Sequence, residues 1–204
     1  MEKMNSSIPG YRVFEYVLVL SPHEELSNKI SSIKKEFAEK FKTDQAKYGK
    51  SHIALVTFTN WGMMEERLLQ RLQIIAMGIT PFKIELKDYG SYPSHSIFIN
   101  VPTKLPVQAL VKDLKTAQRL MKFNAENKPH FIEDPNIVMA RKLKPWQYEQ
   151  GWLQYSNRHF TGKFIADSML LLKRPAGEKV AYQIARRFEF QNLPVATKQG
   201  NLFM

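Results

Sequence analysis

The sequence predicts an α+β protein in which two similar lobes, each with an antiparallel sheet, pack as one unit. Its 204 residues suffice for one large domain or two small lobes, and 44% apolar residues are typical of a globular chain. Strand-like and helix-like segments follow each other in a similar order in both halves. Each half has a short apolar strand that opens on a polar residue, His52 in the first and Asn136 in the second. A site built between the two halves is therefore expected.

The first half predicts the order strand, helix, strand, helix. A buried strand is predicted from Tyr11 to Leu20, and a helix then begins with Ser21 as N-cap and Pro22 at its first position. The inner stripe of that helix is predicted to be Leu26, Ile30, Ile33, Phe37 and Phe41. The His52 strand comes next, and a second helix is predicted from Met63 to Met77, ended by Gly78.

From mid-chain onward the pattern predicts a hairpin, a long helix, the Asn136 strand and a closing pair of strands. The predicted elements are strands 82–89 and 96–101, a helix 105–122, the Asn136 strand, a helix 144–155, and strands 160–173 and 180–190. Beyond them the sequence has no periodic pattern. We therefore expect one domain over residues 1–191 and a loose tail over 192–204.

Side chains of a strand alternate between its two faces, and this sorts the residues of the two polar-headed strands. His52 and Ala54 share one face of the first strand, and Asn136 and Val138 share one face of the second. The residues expected behind them, toward the core, are Ile53, Leu55, Ile137 and Met139. Both strands are expected to be central strands of their sheets.

Composition excludes several kinds of protein and favours one kind of ligand. The absence of cysteine excludes disulfides and thiolate metal sites and fits a cytoplasmic location. No membrane span, signal peptide, metal constellation or glycine-rich phosphate loop is found, so we expect no cofactor and no ATP-dependent ligase. The net charge of +11 favours an anionic partner such as RNA or a nucleotide phosphate, unless it is spread over solvated helix faces.

Three segments resemble the two-histidine (2H) phosphoesterases, in particular their 2′-5′ RNA ligase-like branch. The segment from His52 to Leu55 resembles the first family signature, His-x-Thr/Ser followed by an apolar residue. The segment from Pro135 to Leu143 resembles the second, in which the family shows Pro-His-Ile-Thr-Ile-Ala-Arg-Lys-Leu. The segments 160–164 and 169–174 resemble the closing hairpin of that branch.

The resemblance implies a bilobal fold around a central groove, and a 2′,3′-cyclic or 2′-5′ phosphodiester substrate, usually on RNA. It also implies metal-free chemistry. Independently of the resemblance, we expect the protein to be a monomer. One histidine acts as general base and the other as general acid, while the Thr/Ser hydroxyls hold the phosphoryl oxygens. Arg141 and Lys163 are the basic residues expected to meet the phosphate.

The chain departs from the family pattern at three of these four positions, because Ala54, Asn136 and Val138 replace the first hydroxyl, the second histidine and the second hydroxyl. An asparagine side chain cannot transfer a proton near pH 7. We therefore expect a catalytically impaired protein that binds RNA ends or nucleotides in its groove. Two alternatives stay open: an active enzyme that uses His52 with a substitute such as His130, or a structural module without a ligand. His159, although followed by Phe-Thr, lies where the family places its closing strand.

Overall fold

The structure is a computed structural model, and it describes residues 11–43 and 51–193. The strands are β1 (Val13–Leu20), β2 (Ile53–Trp61), β3 (Phe82–Tyr92), β4 (Ser96–Asn100), β5 (His130–Phe131), β6 (Asn136–Arg141), β7 (Thr161–Ala166), β8 (Ser168–Pro175) and β9 (Gln183–Glu189). The helices are α1 (Glu24–Phe41), α2 (Glu65–Met77), α3 (Lys104–Lys115), α4 (Gln118–Met121) and α5 (Pro145–Tyr155), with a 3-10 turn at Gly62–Met64. The predicted α+β class and bilobal architecture are confirmed.

Two antiparallel sheets form the two lobes. The first sheet has the strand order β5-β2-β1-β8-β9, and the second has the order β6-β4-β3-β7. β2 is therefore an inner strand, as expected. β6 is an edge strand, so the prediction of two central strands is wrong for β6. Its free edge is covered instead by the other lobe, because β6 lies against β2 of the first sheet.

Each of these two strands contains a β-bulge, and the two bulges correspond. In β2, Leu18 of β1 pairs with Val56 and Val19 pairs with Ala54, so Leu55 is the extra residue. In β6, Val138 pairs with Phe98 of β4 and Ala140 pairs with Ile97, so Met139 is the extra residue. Both bulges lie three positions after the polar residue that opens the strand. A bulge re-aims the side chains that come after it. The partly exposed face of β2 therefore continues at Thr57, three positions after Ala54, and that of β6 continues at Arg141, three positions after Val138.

The helices are exchanged between the lobes. α1 connects β1 to β2 of the first sheet, yet its Leu26 packs against Gly162 of β7 and its Phe37 against Tyr155 of α5. α3 connects β4 to β6 of the second sheet, yet it packs against β2 and α2 of the first lobe. Each sheet is thus covered by a helix that belongs to the other lobe's strand–helix–strand unit.

Several predicted boundaries shift for local reasons. α1 starts at Glu24 with His23, not Ser21, as its N-cap, because the Nδ1 atom of His23 accepts the N–H of Leu26 at 3.3 Å. The predicted third helix ends early at Lys115, where the Thr116 hydroxyl donates to the carbonyl of Asp113 at 2.7 Å.

The predicted strand 160–173 is two strands in different sheets. β7 ends at Ala166 and β8 begins at Ser168. The phase of burial changes at this point, from Phe164 and Ala166 to Met169 and Leu171, because the inward face of the chain switches as it passes from one sheet to the other.

The predicted tail lies outside the described residues from position 194 onward. The two described residues of that segment are held, because the N–H groups of Asn192 and Leu193 donate to the carbonyls of Ile79 and Met77. Within residues 11–43 and 51–193, no helix has both the length and the apolar composition of a membrane span.

Candidate functional site

The candidate site lies where β2 and β6 meet. The predicted alternation is confirmed: Ile53, Leu55, Ile137 and Met139 are buried, whereas His52, Ala54 and Asn136 are half-buried and Val138 is 39% exposed. The polar face of each strand is thus the one turned away from the core. Because the bulge at Met139 re-aims the side chains after it, Arg141 continues this face of β6 and is exposed.

Asn136 is held by a network at the start of β6. Its amide nitrogen donates to the carbonyl of Asp134 at 3.1 Å and to the Tyr92 hydroxyl at 3.3 Å. The Tyr92 hydroxyl donates in turn to the Asp134 carboxylate at 2.9 Å, which also receives the Lys104 ammonium at 2.7 Å. The hydrogen bond from Lys104 holds the pKa of Asp134 below its usual value, so this carboxylate is ionised at neutral pH.

His52 lies next to α1. Ser51, directly before it, is buried, and its hydroxyl is 3.4 Å from the hydroxyl of Ser31 on α1. One turn along the same helix face lies Lys34, which is only 5% exposed. Burial and the like charge of Arg141 lower the pKa of Lys34 to about 8. The charges of Lys34, on α1, and of Arg141, on β6, are therefore close enough to act on each other.

A cleft lies on the open face of the first sheet. Its volume is 340 Å³, and its lining includes Thr57, Thr59, His130 and Tyr182. Burial raises the pKa of Tyr182, and the positive charge of Arg174 opposes that rise. Thr57 belongs to β2, so the cleft shares this strand with the candidate site, although neither His52 nor Asn136 lines it.

A larger cleft of 480 Å³ lies elsewhere, between β1 and the start of α2. Two cations line it, and both are already paired. Lys173 is bound by Glu65, with distances of 2.7 and 2.9 Å from the ammonium nitrogen to the two carboxylate oxygens, and Arg12 is bound by Glu178 at 2.8 Å. A second acid, Glu66, also lines this cleft. Because its lysine is neutralised and acids line it, this cleft is a poor site for an anionic ligand.

The structure does not bring Lys163 to the site. Lys163 lies on β7, at the far edge of the second sheet, where it pairs with Glu85. Three strand spacings separate β7 from β6, which is about 14 Å. The prediction that Lys163 and Arg141 meet the same phosphate is therefore wrong for Lys163.

None of the other four histidines lies on β6. His130 pairs with Thr57 in β5, and five residues of strand separate Thr57 from His52, which is about 16 Å. His130 thus lines the cleft and does not occupy a position on β6 equivalent to that of His52. His159 is exposed and lies beside Asp88, with its Nδ1 atom 3.3 Å from the carboxylate. His23 caps α1, and His95 lies in the β3–β4 turn beside the carbonyl of Pro93.

Sequence reasoning missed Lys34, although a signal was present. The predicted inner stripe of α1 includes Ile33, which is half-buried in the structure. The buried residue between Ile30 and Phe37 is Lys34. A lysine at an inward position of an apolar helix face is unusual, because burying an ammonium group is costly unless something stabilises it. The position of Lys34 on the apolar face of α1 is therefore the signal in the sequence that indicates a buried lysine.

The two strands carry one imidazole, at His52, and one amide, at Asn136, and they have no hydroxyl at positions 54 and 138. Asparagine is not a proton-transfer group, so β6 offers no second histidine-like partner for His52. Among the described residues, no group of three or more histidine, aspartate or glutamate side chains could hold a metal ion.

No family model and no curated protein matches the chain. Solved structures do match. Escherichia coli LigT complexed with 3′-AMP has a TM-score of 0.59 at 14% identity, covering 88% of this chain and 98% of LigT. The protein TT0787 of Thermus thermophilus has a TM-score of 0.61 at 14% identity, covering 87% of this chain and 98% of TT0787.

The chain has the LigT fold. LigT has also been solved with phosphate, and that structure matches at 12% identity with a TM-score of 0.52 over 88% of this chain and 98% of LigT. At these identities the match establishes the fold alone. The function that this fold carries here therefore depends on the residues of this chain.

Proposed function

We propose that this chain binds the terminal phosphate of an RNA end or a nucleotide at the β2–β6 junction, and that it hydrolyses 2′,3′-cyclic phosphodiesters only very slowly. The observation that carries the proposal is a pair of corresponding positions: His52 directly precedes β2, and Asn136 opens β6. A β-bulge lies three residues after each of them, which supports their equivalence. On this proposal the chain keeps the scaffold of a two-histidine site without its second proton donor.

Charge supports the binding half of the proposal. Arg141 continues the groove face of β6, and the whole chain carries a net charge of +11. The cleft on the open face of the first sheet, with a volume of 340 Å³ and a lining that includes Thr57 and Tyr182, has room for a nucleoside. LigT, which shares the fold, was crystallised with 3′-AMP, NADP⁺, ATP and phosphate. We therefore expect a nucleotide to bind more tightly than inorganic phosphate.

The catalytic half rests on the replaced residues. Loss of one acid–base partner costs about 10²- to 10⁴-fold in rate, and loss of a charge-stabilising donor costs about 10²- to 10³-fold. These losses do not simply multiply, since residues that act together are non-additive. We expect turnover at least about 10³-fold slower than that of an intact two-histidine enzyme, on the basis of the same losses.

Calorimetric titration with 3′-AMP at low and high salt tests the proposal. We expect saturable binding that weakens as salt rises, because the charges at the site are partly solvent-exposed. His52→Ala should weaken binding by about tenfold, the loss of one charge-assisted hydrogen bond. His159→Ala is the matched control, because His159 is exposed and lies beside Asp88 rather than at the junction. Absence of binding at low salt, or equal effects of the two variants, would reject the site.

A further inference from the structure

The side chain of Asn136 uses both of its N–H groups within the protein. The amide nitrogen donates to the main-chain carbonyl of Asp134 at 3.1 Å and to the Tyr92 hydroxyl at 3.3 Å. An asparagine amide carries two hydrogens, so none is left for a ligand. Within residues 11–43 and 51–193, the oxygen of the same amide, Oδ1, accepts no hydrogen bond. Asn136 therefore has a free acceptor and no free donor.

The two neighbours of the amide determine which way round it lies. The main-chain carbonyl of Asp134 can only accept a hydrogen bond, so it must face the amide nitrogen. The Tyr92 hydroxyl has a single hydrogen, which it donates to the Asp134 carboxylate at 2.9 Å, so it too can only accept from Asn136. A reversed amide would place its oxygen against two acceptors. The orientation with Oδ1 directed away from both neighbours is therefore the stable one.

The Asp134 carboxylate keeps the Tyr92 hydroxyl in this role. The Lys104 ammonium lies 2.7 Å from the carboxylate, and its hydrogen bond lowers the pKa of Asp134. An ionised carboxylate has no hydrogen to donate, so it takes the hydrogen of Tyr92. Burial, together with the hydrogen bond to Asp134, raises the pKa of Tyr92, so the phenol keeps its hydrogen at neutral pH. The direction of each hydrogen bond in this network is thus determined.

Oδ1 of Asn136 remains available to a ligand. Asn136 opens β6 on the face turned away from the core and is half-buried. Among the described residues, some side-chain atoms without a partner are sealed off from solvent, such as Oγ1 of Thr43, and Oδ1 of Asn136 is not one of them. An ionised phosphate oxygen carries negative charge and no hydrogen, so a carbonyl oxygen repels it, whereas a hydroxyl group can donate to that oxygen.

We propose that Oδ1 of Asn136 accepts a hydrogen bond from the free ribose hydroxyl beside the bound phosphate, so that the site selects ring-opened 2′- or 3′-phosphomonoester ends. This inference rests on the proposed function, since it names the kind of RNA end or nucleotide that binds there. In a 2′,3′-cyclic phosphodiester both ribose oxygens are esterified, and neither can donate. In a ring-opened end the phosphate is on one of these oxygens, and the other is a hydroxyl. The ligand class is therefore a ribonucleotide with a phosphate and a free hydroxyl on adjacent carbons.

The experiment is calorimetric titration of the full chain, at low salt, with 3′-AMP, 2′-deoxyadenosine 3′-phosphate and adenosine 2′,3′-cyclic phosphate. The deoxy compound has the base and charge of 3′-AMP and lacks only the 2′ hydroxyl. It should bind about three- to tenfold more weakly, the loss of one neutral hydrogen bond. The cyclic phosphate should also bind more weakly than 3′-AMP.

Two variants locate the hydroxyl. Asn136→Ala removes the acceptor, so it should bind 3′-AMP and the deoxy compound equally, both about as weakly as wild type binds the deoxy compound. Asn157→Ala makes the same substitution at an exposed position after α5, and as the matched control it should discriminate as wild type does.

The outcomes separate this inference from the proposed function. If wild type binds 3′-AMP no more tightly than the deoxy compound or the cyclic phosphate, or if Asn136→Ala still discriminates, the inference is refuted while the phosphate site stands. If wild type binds none of the three compounds at low salt, both are refuted. Thermal melts followed by circular dichroism check that the variants are folded. The comparison of the three compounds on wild type provides the test if Asn136→Ala is not.

Discussion

Restoring the missing groups should restore chemistry. The triple variant Ala54→Thr, Asn136→His and Val138→Thr supplies the second imidazole and both hydroxyls on strands that already have the matched bulges. Val138 is 39% exposed, so a threonine of nearly the same shape can be placed there without burying its hydroxyl. Asn136 and Ala54 are half-buried, so neither substitution is made in the fully buried core.

The surroundings of Asn136 set the expected geometry of the new histidine. The Asn136 amide nitrogen lies 3.1 Å from the carbonyl of Asp134, and the Nδ1 atom of an imidazole occupies nearly the same place relative to the main chain. Nδ1–H can then donate to this carbonyl, which fixes the ring and its tautomer and leaves Nε2 for the substrate. We therefore expect a rate gain of at least about 10²-fold over wild type, the lower bound for one acid–base partner.

The assay measures hydrolysis of nucleoside 2′,3′-cyclic phosphates, with chromatographic separation of the 2′ and 3′ products. Adding His52→Ala to the triple variant should return the rate to the wild-type level, because both proton-transfer partners are needed. Val138→Thr alone is the matched control and should gain little. A folded triple variant that binds phosphate but shows no gain would refute the reasoning, as would a fast wild type whose activity survives His52→Ala.

Two further predictions concern the scaffold of the site. Gly90→Ala should lower the free energy of unfolding by about 1–3 kcal/mol, because a Cβ there would lie 2.5 Å from both the Phe98 ring and the Asn100 side-chain oxygen on β4. Denaturant unfolding measures this change, and an unchanged midpoint would show that the added methyl group causes no overpacking. Gln147→Leu should lower the free energy of unfolding by about 1–3 kcal/mol, because the buried Gln147 amide donates to the carbonyl of Phe41 at 2.9 Å and the substitution leaves buried polar groups unsatisfied. The same unfolding assay checks this prediction, and a more stable variant would contradict it.

Much of the fold is determined by local patterns in the sequence. Alternation in the segments after His52 and Asn136 correctly predicts which side chains face the core and which face away from it. The pattern is informative because a shift by one residue would move every side chain of a strand to its other face. The family resemblance supplied the pairing of these strands across two lobes, which alternation alone does not contain. The place of β6 at a sheet edge was missed, because an edge covered by another lobe is as apolar as an inner strand.

The site was predicted less completely, because its parts come from separate elements. Arg141 was found because it lies within the second motif, on the same strand as Asn136. Lys163 also lies beside a family-like segment, but only the strand order shows that β7 is at the opposite edge of the sheet. Lys34 is on a helix that no motif marks, and its approach to Arg141 depends on how α1 crosses to the second lobe.

That crossing also bears on motion. If each sheet were covered only by helices of its own chain segment, the lobes could open and close about the groove as two rigid bodies. Here, parting them would pull α1, with Leu26 and Phe37, away from β7 and α5, and α3 away from β2. Each of these buried side chains contributes about 1.5–3 kcal/mol through burial, so wide opening is costly. We therefore expect a groove that is largely preformed, in which a ligand meets groups already in place instead of a hinge that closes over it.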